Sequence, residues 1–558
     1  MSANPSETLY FFYKKQLMKH KISALPLVNL TPCLKTLMII LSVLLVCQVS
    51  AKAEILRLGF NIKDMTTLDP HFANDSRKRA IAEMVFNRLI RYKPGDETGT
   101  LEPDLAENIP REPEIADGRQ VWTFKLRKGV MFHKGPETDP YEMTADDVVY
   151  SLQKAAEWVS PIYAGDYSGM TVEKAGDYSV KIILEKPMSP TLFIPRLAAY
   201  PGGFIVSKKA LLAMRYEDFK THPVGTGPFM IDKLTPKKSL RLRANKDYFR
   251  SRPLLRSIDI RFIPKLKTRE AGLKAGRLHI IDGVSDTKWI RKMKRLADVT
   301  VDLQGIGEAT MLHFNTSVKP MNDMRVRKAI AYALDRNEFL NCFGGHLLEK
   351  LYSPVPAQLT GGLKQEKVKE LKLDYTADLE KAMSLLDKTE YADGFSLELV
   401  TSERPVYRKY YECLRDQLEE IGIDCDLNVL AHSSMHTRIR QGENPIVIYI
   451  AWRPDADAIL TRFFHSDSVV LTGAKPDANF SHYDKTDKLI NAARTEISTE
   501  EQNRLWKYAQ IKVLDDMAAY PLHYIKPVHA RRKYVDYGYD ITRMTPYPYI
   551  TEKTRIVK

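Results

Sequence analysis

The sequence predicts a mixed α/β (α+β) protein with more than one domain. Along most of the chain, short apolar or alternating segments typical of β-strands are followed by segments with the apolar spacing of helices. The length of 558 residues is far above the size at which a single hydrophobic core keeps growing, so two or three domains are expected. The composition, 44% hydrophobic and 28% charged, is that of a globular protein.

The first third of the chain clearly shows both the alternation of buried and exposed residues typical of strands and the apolar spacing typical of helices. Residues 55–60 (ILRLGF) predict a strand, and the apolar positions within residues 77–90 predict a helix. In residues 121–127 (VWTFKLR), Trp122 and Phe124 alternate with polar residues, as expected for a strand with one buried face. These segments predict a strand, a helix and a second strand in that order.

A capping signal and a tight turn divide the next part. Thr144 followed by Asp147 predicts the start of a helix, because the two can satisfy each other's backbone N–H groups. Residues 178–184 alternate again and predict a strand. Residues 224–229 (VGTGPF) place two glycines beside a proline, which indicates a fixed turn; the spacing excludes a phosphate-binding loop.

The second half continues the alternation of strands and helices. Asp323 predicts a helix N-terminus, and Ser498 with Glu501 predicts another. The remaining elements are predicted at residues 240–242, 258–263, 395–400, 425–430 and 520–525 as strands, the last taken as the final core strand, and at residues 378–386 and 410–421 as helices.

Residues 446–465 (IVIYIAWRPDADAILTRFFH) carry the most suggestive polar cluster. An apolar, β-branched run predicts a buried strand and is followed by a helix-like run. Between the two lie Trp452, Arg453, Asp455 and Asp457. Two interpretations stay open from spacing alone: the cluster forms the rim of a ligand site, or one of the aspartates only caps the following helix.

The net charge of +14 does not by itself indicate a nucleic-acid partner. Residues 1–53 contain six lysines and a single glutamate, so part of the excess belongs to this segment. In the rest of the chain, basic residues alternate with acidic ones, which favours a solvated basic surface over a binding site for an anionic polymer.

The N-terminal segment has the pattern of a secretory signal. Residues 37–47 (LMIILSVLLVC) are apolar, follow Lys35 and precede an A-x-A sequence, which predicts cleavage after Ala53. Lipid attachment at Cys47 is disfavoured because the preceding Val46 is not a small residue. The long stretch before the apolar run leaves Met1 and Met18 as alternative translation starts.

Three cysteines remain after the predicted cleavage site. Export would permit a disulfide, and Cys413 and Cys425, on either side of a helix-to-strand turn, could pair and leave Cys342 over. The chain has no C-x-x-C or HExxH motif, so we expect no dedicated zinc site and no cofactor.

Motifs for catalysis are missing from the sequence. There is no nucleophile elbow, no P-loop and no complete dinucleotide-binding glycine set. His432 and His436 have the i, i+4 spacing of a metal-binding pair, but with no acidic or cysteine neighbour a solvated helix face is favoured. A pair of aspartates two residues apart is too common to indicate glycoside cleavage. The sequence favours a binding protein over an enzyme.

Several motifs, taken in order, resemble one family. Residues 122–135 (WTFKLRKGVMFHKG) followed by 144–148 (TADDV) resemble a block of the peptide/nickel class of ABC-importer solute-binding proteins, the oligopeptide- and dipeptide-binding proteins. Further similar segments follow the order of that family across residues 54–545: LDP at 68–70, LEPDLA at 101–106, VGTGPF at 224–229, VRKAIAYALDR at 326–336 and YPL at 520–522.

This resemblance implies a periplasmic binding protein-like fold of class II, cluster C, with three domains. Domain I would comprise residues 54–88, 222–305 and 520–558; domain II, inserted in it, residues 89–221; and domain III residues 306–519. Residues 1–53 would be an N-terminal extension with the signal peptide. Ligand would lie between domains I and III, which close over it by a hinge motion.

The resemblance also implies a ligand and candidate ligand-binding residues. A peptide would be held through its backbone and its charged ends, and delivered to importer permease subunits in the inner membrane. In this family an aspartate in a W-x-x-D context takes the peptide amine, and an arginine in an R-P-Y-like segment takes the carboxylate. Trp452 and Asp455 match the first pattern, and Arg404 partly matches the second.

One departure keeps the ligand open. The family often reads W-x-x-D-Y-P-D-P-D where this chain reads W-R-P-D-A-D. If two residues are deleted, Asp455 corresponds to the later aspartate and the amine-binding carboxylate is missing, so the ligand would be something other than a peptide with a free amine. Whether Asp455 or Asp457 holds the amine of a peptide stays open. The resemblance most directly implies a peptide-binding protein. The alternatives are a protein of the same fold that binds a non-peptide solute, such as a metal chelate, haem, opine or sugar, and a secreted enzyme on the same scaffold. We expect a monomer that binds no nucleic acid.

Overall fold

The computed structural model describes residues 54–557, except 74, 97–98, 157–163, 168, 304–306, 343–347 and 542–546. The predictions for residues 1–53, namely the signal peptide, its cleavage after Ala53, Cys47 and the translation start, lie outside the described residues. In the part that is described, no helix has both the length and the apolar character needed to cross a membrane.

The described chain is a mixture of strands and helices, as predicted. The strands are β1 (Ile55–Phe60), β2 (Ile90–Tyr92), β3 (Leu101–Pro103), β4 (Glu114–Ala116), β5 (Arg119–Lys125), β6 (Met170–Gly176), β7 (Ser179–Leu184), β8 (Phe229–Thr235), β9 (Ser239–Ala244), β10 (Ser257–Phe262), β11 (Ile280–Asp282), β12 (Val299–Leu303), β13 (Glu308–Phe314), β14 (Leu348–Lys350), β15 (Phe395–Ser402), β16 (Ile423–Leu430), β17 (Ile446–Ala451), β18 (Ala519–Ile525), β19 (Val528–Arg532), β20 (Val535–Asp536) and β21 (Arg555–Ile556). The α-helices are α1 (Ser76–Val85), α2 (Ala145–Ala156), α3 (Ala164–Tyr167), α4 (Pro190–Ala199), α5 (Lys208–Ala213), α6 (Tyr216–Phe219), α7 (Leu266–Lys274), α8 (Thr287–Lys294), α9 (Met324–Ala333), α10 (Arg336–Cys342), α11 (Gln365–Glu370), α12 (Leu379–Leu386), α13 (Pro405–Glu419), α14 (His432–Ile439), α15 (Ala456–Phe464), α16 (Asp487–Thr495) and α17 (Thr499–Asp515).

A seven-stranded sheet forms what we call the first lobe. Its strand order is β12-β19-β11-β1-β10-β9-β8, and β1 runs parallel to both β10 and β11. Leu58 and Ile260, which pair across β1 and β10, are almost completely buried. Because β19 comes from the C-terminal part of the chain, this sheet joins segments that are far apart in sequence.

The segment between the two parts of the first lobe carries its own four-stranded sheet, and we call residues 89–221 the inserted segment. The strand order is β4-β5-β7-β6. Trp122 and Phe124 on β5 are fully buried, while Thr123 and Lys125 are exposed, which confirms the predicted alternation. The predicted capping signal also forms, since the Thr144 N–H donates to the Asp147 carboxylate at 3.1 Å.

A second four-stranded sheet, β14-β18-β13-β17, forms what we call the second lobe together with its helices and the parallel pair β15 and β16. The Asp323 carboxylate accepts a hydrogen bond from the Arg325 N–H at 2.8 Å, so the predicted cap of α9 is confirmed. On α9, Val326 and Ile330 are fully buried against this sheet. The lobe therefore has the core that the helical spacing predicted.

Two predicted helix boundaries and one predicted strand assignment are wrong. The strand predicted at 520–525 is followed by β19 in the other large sheet, so it is not the last core strand. The helix predicted at 410–421 begins five residues earlier, at Pro405, whose fixed φ suits a first helical position. The helix predicted at 77–90 ends at Val85. Pro405 is thus a local signal for the start of α13, and α1 ends where the backbone of Phe86 becomes extended.

Two neighbouring connections join the lobes. One runs from β12 to β13 and the other from β18 to β19, and Glu308 pairs with Ile525 where they meet. A Cβ atom on Gly307 would lie 1.5 Å from the Ile525 carbonyl oxygen, so only glycine fits between the two backbones. The three-domain division stays a prediction; because β18 pairs with β13, we would place the return to the first lobe after Ile525.

We expect Gly307→Ala to lower the free energy of unfolding by about 3 kcal/mol or more, because the added methyl group must displace backbone at the junction. Urea denaturation measures the effect. Gly129→Ala is a suitable control, since Gly129 has a positive φ of 73° but open space around its Cβ position. It should cost only about 1 kcal/mol of backbone strain. An equal or smaller loss for Gly307→Ala would contradict the close approach.

The three cysteines in the described part of the chain are free thiols, so the suggested Cys413–Cys425 disulfide is not present. Cys342 is exposed at the end of α10, and the other two are buried. The side chain of Cys413 on α13 interacts with that of Cys342. On helix α13, Cys413 faces α10. The sequence positions of Cys413 and Cys425, on either side of a turn, could not show this.

Candidate functional site

The predicted site residues lie in the turn between β17 and α15, which we call the 452–457 turn. Strand β17 ends at Ala451 and pairs there with Ala309 at the start of β13. The turn therefore lies at the edge of the second lobe, beside Glu308 and the connections to the first lobe. This position suits residues that must contact a ligand held between the lobes.

Asp455 caps helix α15. Its carboxylate accepts a hydrogen bond from the Ala458 N–H at 2.8 Å, so the helix-cap interpretation of this residue is confirmed. Burial raises its pKa to about 6, with a further increase from the neighbouring Asp457 charge; the Ala458 N–H and Arg196 offset only part of this. A carboxyl group in this state would be stabilised by an added cation, such as a ligand ammonium group.

Asp457 has protein partners for both of its oxygens. Arg196 of the inserted segment lies 3.3 Å from Oδ2, and Arg494 lies 3.0 Å from Oδ1. The Thr461 hydroxyl also donates to Oδ1 at 2.9 Å. The side chain is only 6% exposed. These contacts give Asp457 a structural role, and of the two aspartates Asp455 has more capacity for a ligand.

Trp452 faces the first lobe. The guanidinium carbon of Arg79 on α1 lies 4.8 Å from the centre of the Trp452 ring, a cation–π contact between the lobes. Arg453 instead contacts its own segment. Its guanidinium group donates a hydrogen bond to the Trp452 carbonyl oxygen at 2.8 Å and lies over the Phe463 ring. Of these two predicted residues, Trp452 is the one that contacts the opposite lobe.

Glu308 adds an acidic group to the same region. Its side chain is open to solvent, yet burial raises its carboxyl pKa, while Arg77 and Arg79 of the first lobe lower it. Its place at the start of β13, with Arg77 and Arg79 of the first lobe nearby, puts Glu308 where the two lobes meet. Sequence analysis missed Glu308 and Arg79, because no local pattern distinguishes them from other charges on a strand end and a helix.

Arg404 belongs to a separate cluster on the second lobe. It is exposed just before α13, and its backbone N–H donates to Ser402 Oγ at 3.1 Å. Its charge contributes to lowering the pKa of His436 to about 4, after burial and the effects of His432 and Arg440. The rings of His432 and His436 are 4.6 Å apart, edge to face.

Tyr407 connects this cluster to the cleft. Its ring lies 5.0 Å from that of His432, and burial together with the Glu308 charge raises its pKa to about 12. The i, i+4 histidines thus pack with an aromatic ring. Among the described residues, no group of three or more His, Cys, Asp or Glu side chains has a metal-binding arrangement.

A small cavity of about 20 Å³ lies where the C-terminal segment packs on the first half of the chain. Tyr92 forms part of its wall, with Glu83 and Tyr549. Burial raises the pKa of Tyr92, and the charge of Asp455 raises it further, so the two groups are near each other. A cavity of about 20 Å³ has room for about one water molecule, so it is far too small to hold a peptide or an opine.

Comparison with known proteins identifies the family of this chain. Residues 100–469 match the middle region of the bacterial extracellular solute-binding proteins, family 5. Haem-binding protein A of Haemophilus influenzae is 27% identical over 494 residues, covering 83% of this chain and 86% of that protein. The dipeptide-binding protein of Escherichia coli is 25% identical over 476 residues, covering 80% and 85%.

Solved structures show the same fold. MoaA from A. tumefacien R10, in complex with mannopinic acid, is 32% identical, with a TM-score of 0.78 over 91% of this chain and all of that one. DppA from Helicobacter pylori, in complex with the peptide STSA, is 24% identical, with a TM-score of 0.74 over 90% and 98%. Family members are solute-binding proteins rather than enzymes. From its motifs, its fold and these matches, the chain belongs to the bacterial extracellular solute-binding proteins of family 5.

Proposed function

We propose that this protein is the periplasmic ligand-capturing component of an ABC importer, has no enzymatic activity, and takes short peptides or peptide-like solutes into the cleft between its two lobes. The observation that carries the proposal is the 452–457 turn. Trp452 contacts Arg79 of the opposite lobe, and Asp455 holds a carboxyl group with a raised pKa nearby. A ligand ammonium group would add to the partial compensation that Arg196 gives this carboxylate.

A second candidate ligand is an opine, a conjugate of an amino acid. Asp455 already caps α15 and Asp457 is held by two arginines, so neither aspartate of the turn offers a ligand amine a carboxylate without protein contacts. MoaA, which binds mannopinic acid, is also 32% identical to this chain. Both candidates keep the same importer role and differ in the ligand.

Identification of the co-purified ligand tests the proposal. The protein is purified without denaturation, the bound species is released by acid, and mass spectrometry identifies it. Peptide masses would support the first candidate, and an amino acid–sugar conjugate the second. Calorimetry with dipeptides and their N-acetylated forms then measures the part played by the free amine. Turnover of a bound peptide or ester would contradict the binding role and indicate an enzyme.

We expect Trp452→Ala to weaken ligand binding about tenfold, because it removes a contact between the lobes that exists only when they are close together. The loss should appear mainly as faster dissociation. Trp452→Phe is the matched control: it keeps an aromatic face for Arg79 and should retain most of the affinity. Equal affinities for the wild type and Trp452→Ala would show that the cross-lobe contact does not contribute to capture.

A further inference from the structure

The end of α10 lies beside α13 in the second lobe. The rings of Phe339 and Tyr410 are 6.5 Å apart, and three residues further along each helix come Cys342 and Cys413. The Lys409 ammonium group, one turn before Cys413 on α13, donates to the Cys342 carbonyl oxygen at 3.5 Å. The two helices therefore present matching positions to each other, with a cysteine on each.

We propose that Cys342 and Cys413 are a disulfide-forming pair that covalently links α10 to α13 when the protein meets an oxidising environment. This inference goes beyond the proposed function. It rests on that function in one respect only: export would place the chain in a compartment where disulfides persist. The pairing itself depends on the packing of two helices within one lobe, and no ligand takes part in it.

The two thiols differ in a way that sets the order of reaction. Cys342 is exposed, whereas Cys413 is 6% exposed and its Sγ accepts a hydrogen bond from the Gln417 amide at 3.3 Å. Burial and the neighbouring Cys342 raise the pKa of the Cys413 thiol. An oxidant from solution therefore meets Cys342 first, and Cys413 acts second.

The chemistry balances with a disulfide oxidant such as oxidised glutathione. The Cys342 thiolate attacks one glutathione sulfur, forms a mixed disulfide and releases the first glutathione thiolate. Cys413 then loses its proton to solvent, attacks Cys342 Sγ and releases the second glutathione thiolate. The protein loses two electrons and two protons, and one oxidised glutathione becomes two reduced molecules.

Cys425 is not part of this pair. It lies on β16, it is buried, and its thiol donates to the Ile423 carbonyl oxygen at 4.0 Å. Its pKa is raised by burial and then by the Asp424 charge, with no contribution from another cysteine. Cys425→Ser is therefore the matched control for the two reactive positions.

The test uses the full chain, incubated with oxidised glutathione, alkylated and digested for mass spectrometry. We expect a peptide pair linked through Cys342 and Cys413. We also expect a melting temperature about 5–10 °C above that of the dithiothreitol-reduced protein, because the bond restricts a long loop in the unfolded chain. Cys342→Ser should abolish both signals, and Cys425→Ser should leave them intact.

Three outcomes would overturn the inference. They are a Cys413–Cys425 linkage, an intermolecular bond through Cys342, and full alkylation of both Cys342 and Cys413 after oxidation. Because none of these measurements involves a ligand, they are separate from the test of importer function. A missing disulfide leaves the ligand assignment unaffected, and an unexpected ligand leaves the disulfide unaffected.

Discussion

Asp457→Ala is expected to lower the free energy of unfolding by about 3–5 kcal/mol, the cost of breaking a buried ion pair from one side. The Arg196 side chain is only 10% exposed, so it would keep a buried charge without its carboxylate partner. Arg494, 29% exposed, can be rehydrated more easily. Most of the loss should therefore come from Arg196.

The position of this ion pair also matters for the arrangement of the molecule. Arg196 lies on α4 of the inserted segment, and the backbone N–H of Ser189, just before α4, donates to the Arg494 carbonyl oxygen at 2.8 Å. Nearby, Arg462 of α15 pairs with Asp166 of the inserted segment and with Asp477. Asp457 is thus one part of a charged contact between the inserted segment and the second lobe.

Urea denaturation of the purified variants measures the effect. Asp139→Ala is the control for an exposed ion pair, since Asp139 and its partner Lys134 are 88% and 68% exposed; it should change stability by less than about 1 kcal/mol. The double variant Asp457→Ala, Arg196→Met should recover much of the lost stability, because it removes the unpaired charge. A loss below about 1 kcal/mol for Asp457→Ala would contradict the buried ion pair.

Asp455→Asn should stabilise the ligand-free protein at pH 8 by an amount on the order of 3 kcal/mol at most. The pKa of Asp455 is raised from 3.8 to about 6, so its charged form is disfavoured in the folded protein. Above pH 6 the Asp455 carboxyl is ionised in both the folded and the unfolded protein, and burying this charge lowers the free energy of unfolding. As the pH falls from about 6 to 4, the folded state takes up the proton first and this cost disappears.

The difference between Asp455→Asn and the wild type should therefore be largest above pH 6 and vanish near pH 4. Asparagine is also a good N-cap, so the helix start is preserved. Asp378→Asn provides the control, because Asp378 caps α12 in the same way but is exposed. Its stability should change little with pH. A constant difference at all pH values would mean that the Asp455 charge is not the cause.

The same variant separates the candidate ligands. If Asp455 pairs with a peptide ammonium group in the closed cleft, Asp455→Asn should weaken peptide binding by at least about 100-fold, corresponding to 3 kcal/mol or more. Calorimetry on the wild type and on the variant gives the comparison. Unchanged affinity would exclude the amine role and favour a ligand without a free amine.

The elements and caps were largely predictable from sequence because they depend on neighbouring residues. The alternation of Trp122 and Phe124 and the caps at Asp323 and Asp455 involve residues two to four positions apart. At that spacing the local sequence determines the local geometry. The ends of α1 and α13 were placed less well. Apolar spacing marks the body of a helix and not its ends: α13 starts at Pro405, and α1 ends where Phe86 becomes extended.

The family could also be predicted from the chain, since its ordered motifs are contiguous stretches. Sequence alone could not separate the roles of Asp455 and Asp457, two residues apart. Only the tertiary structure brings Arg196 and Arg494 to Asp457, Arg79 to Trp452, and Cys342 to Cys413. Charge pairing and burial depend on distances in space, and the partners here are separated by tens to hundreds of residues, so no local spacing encodes them.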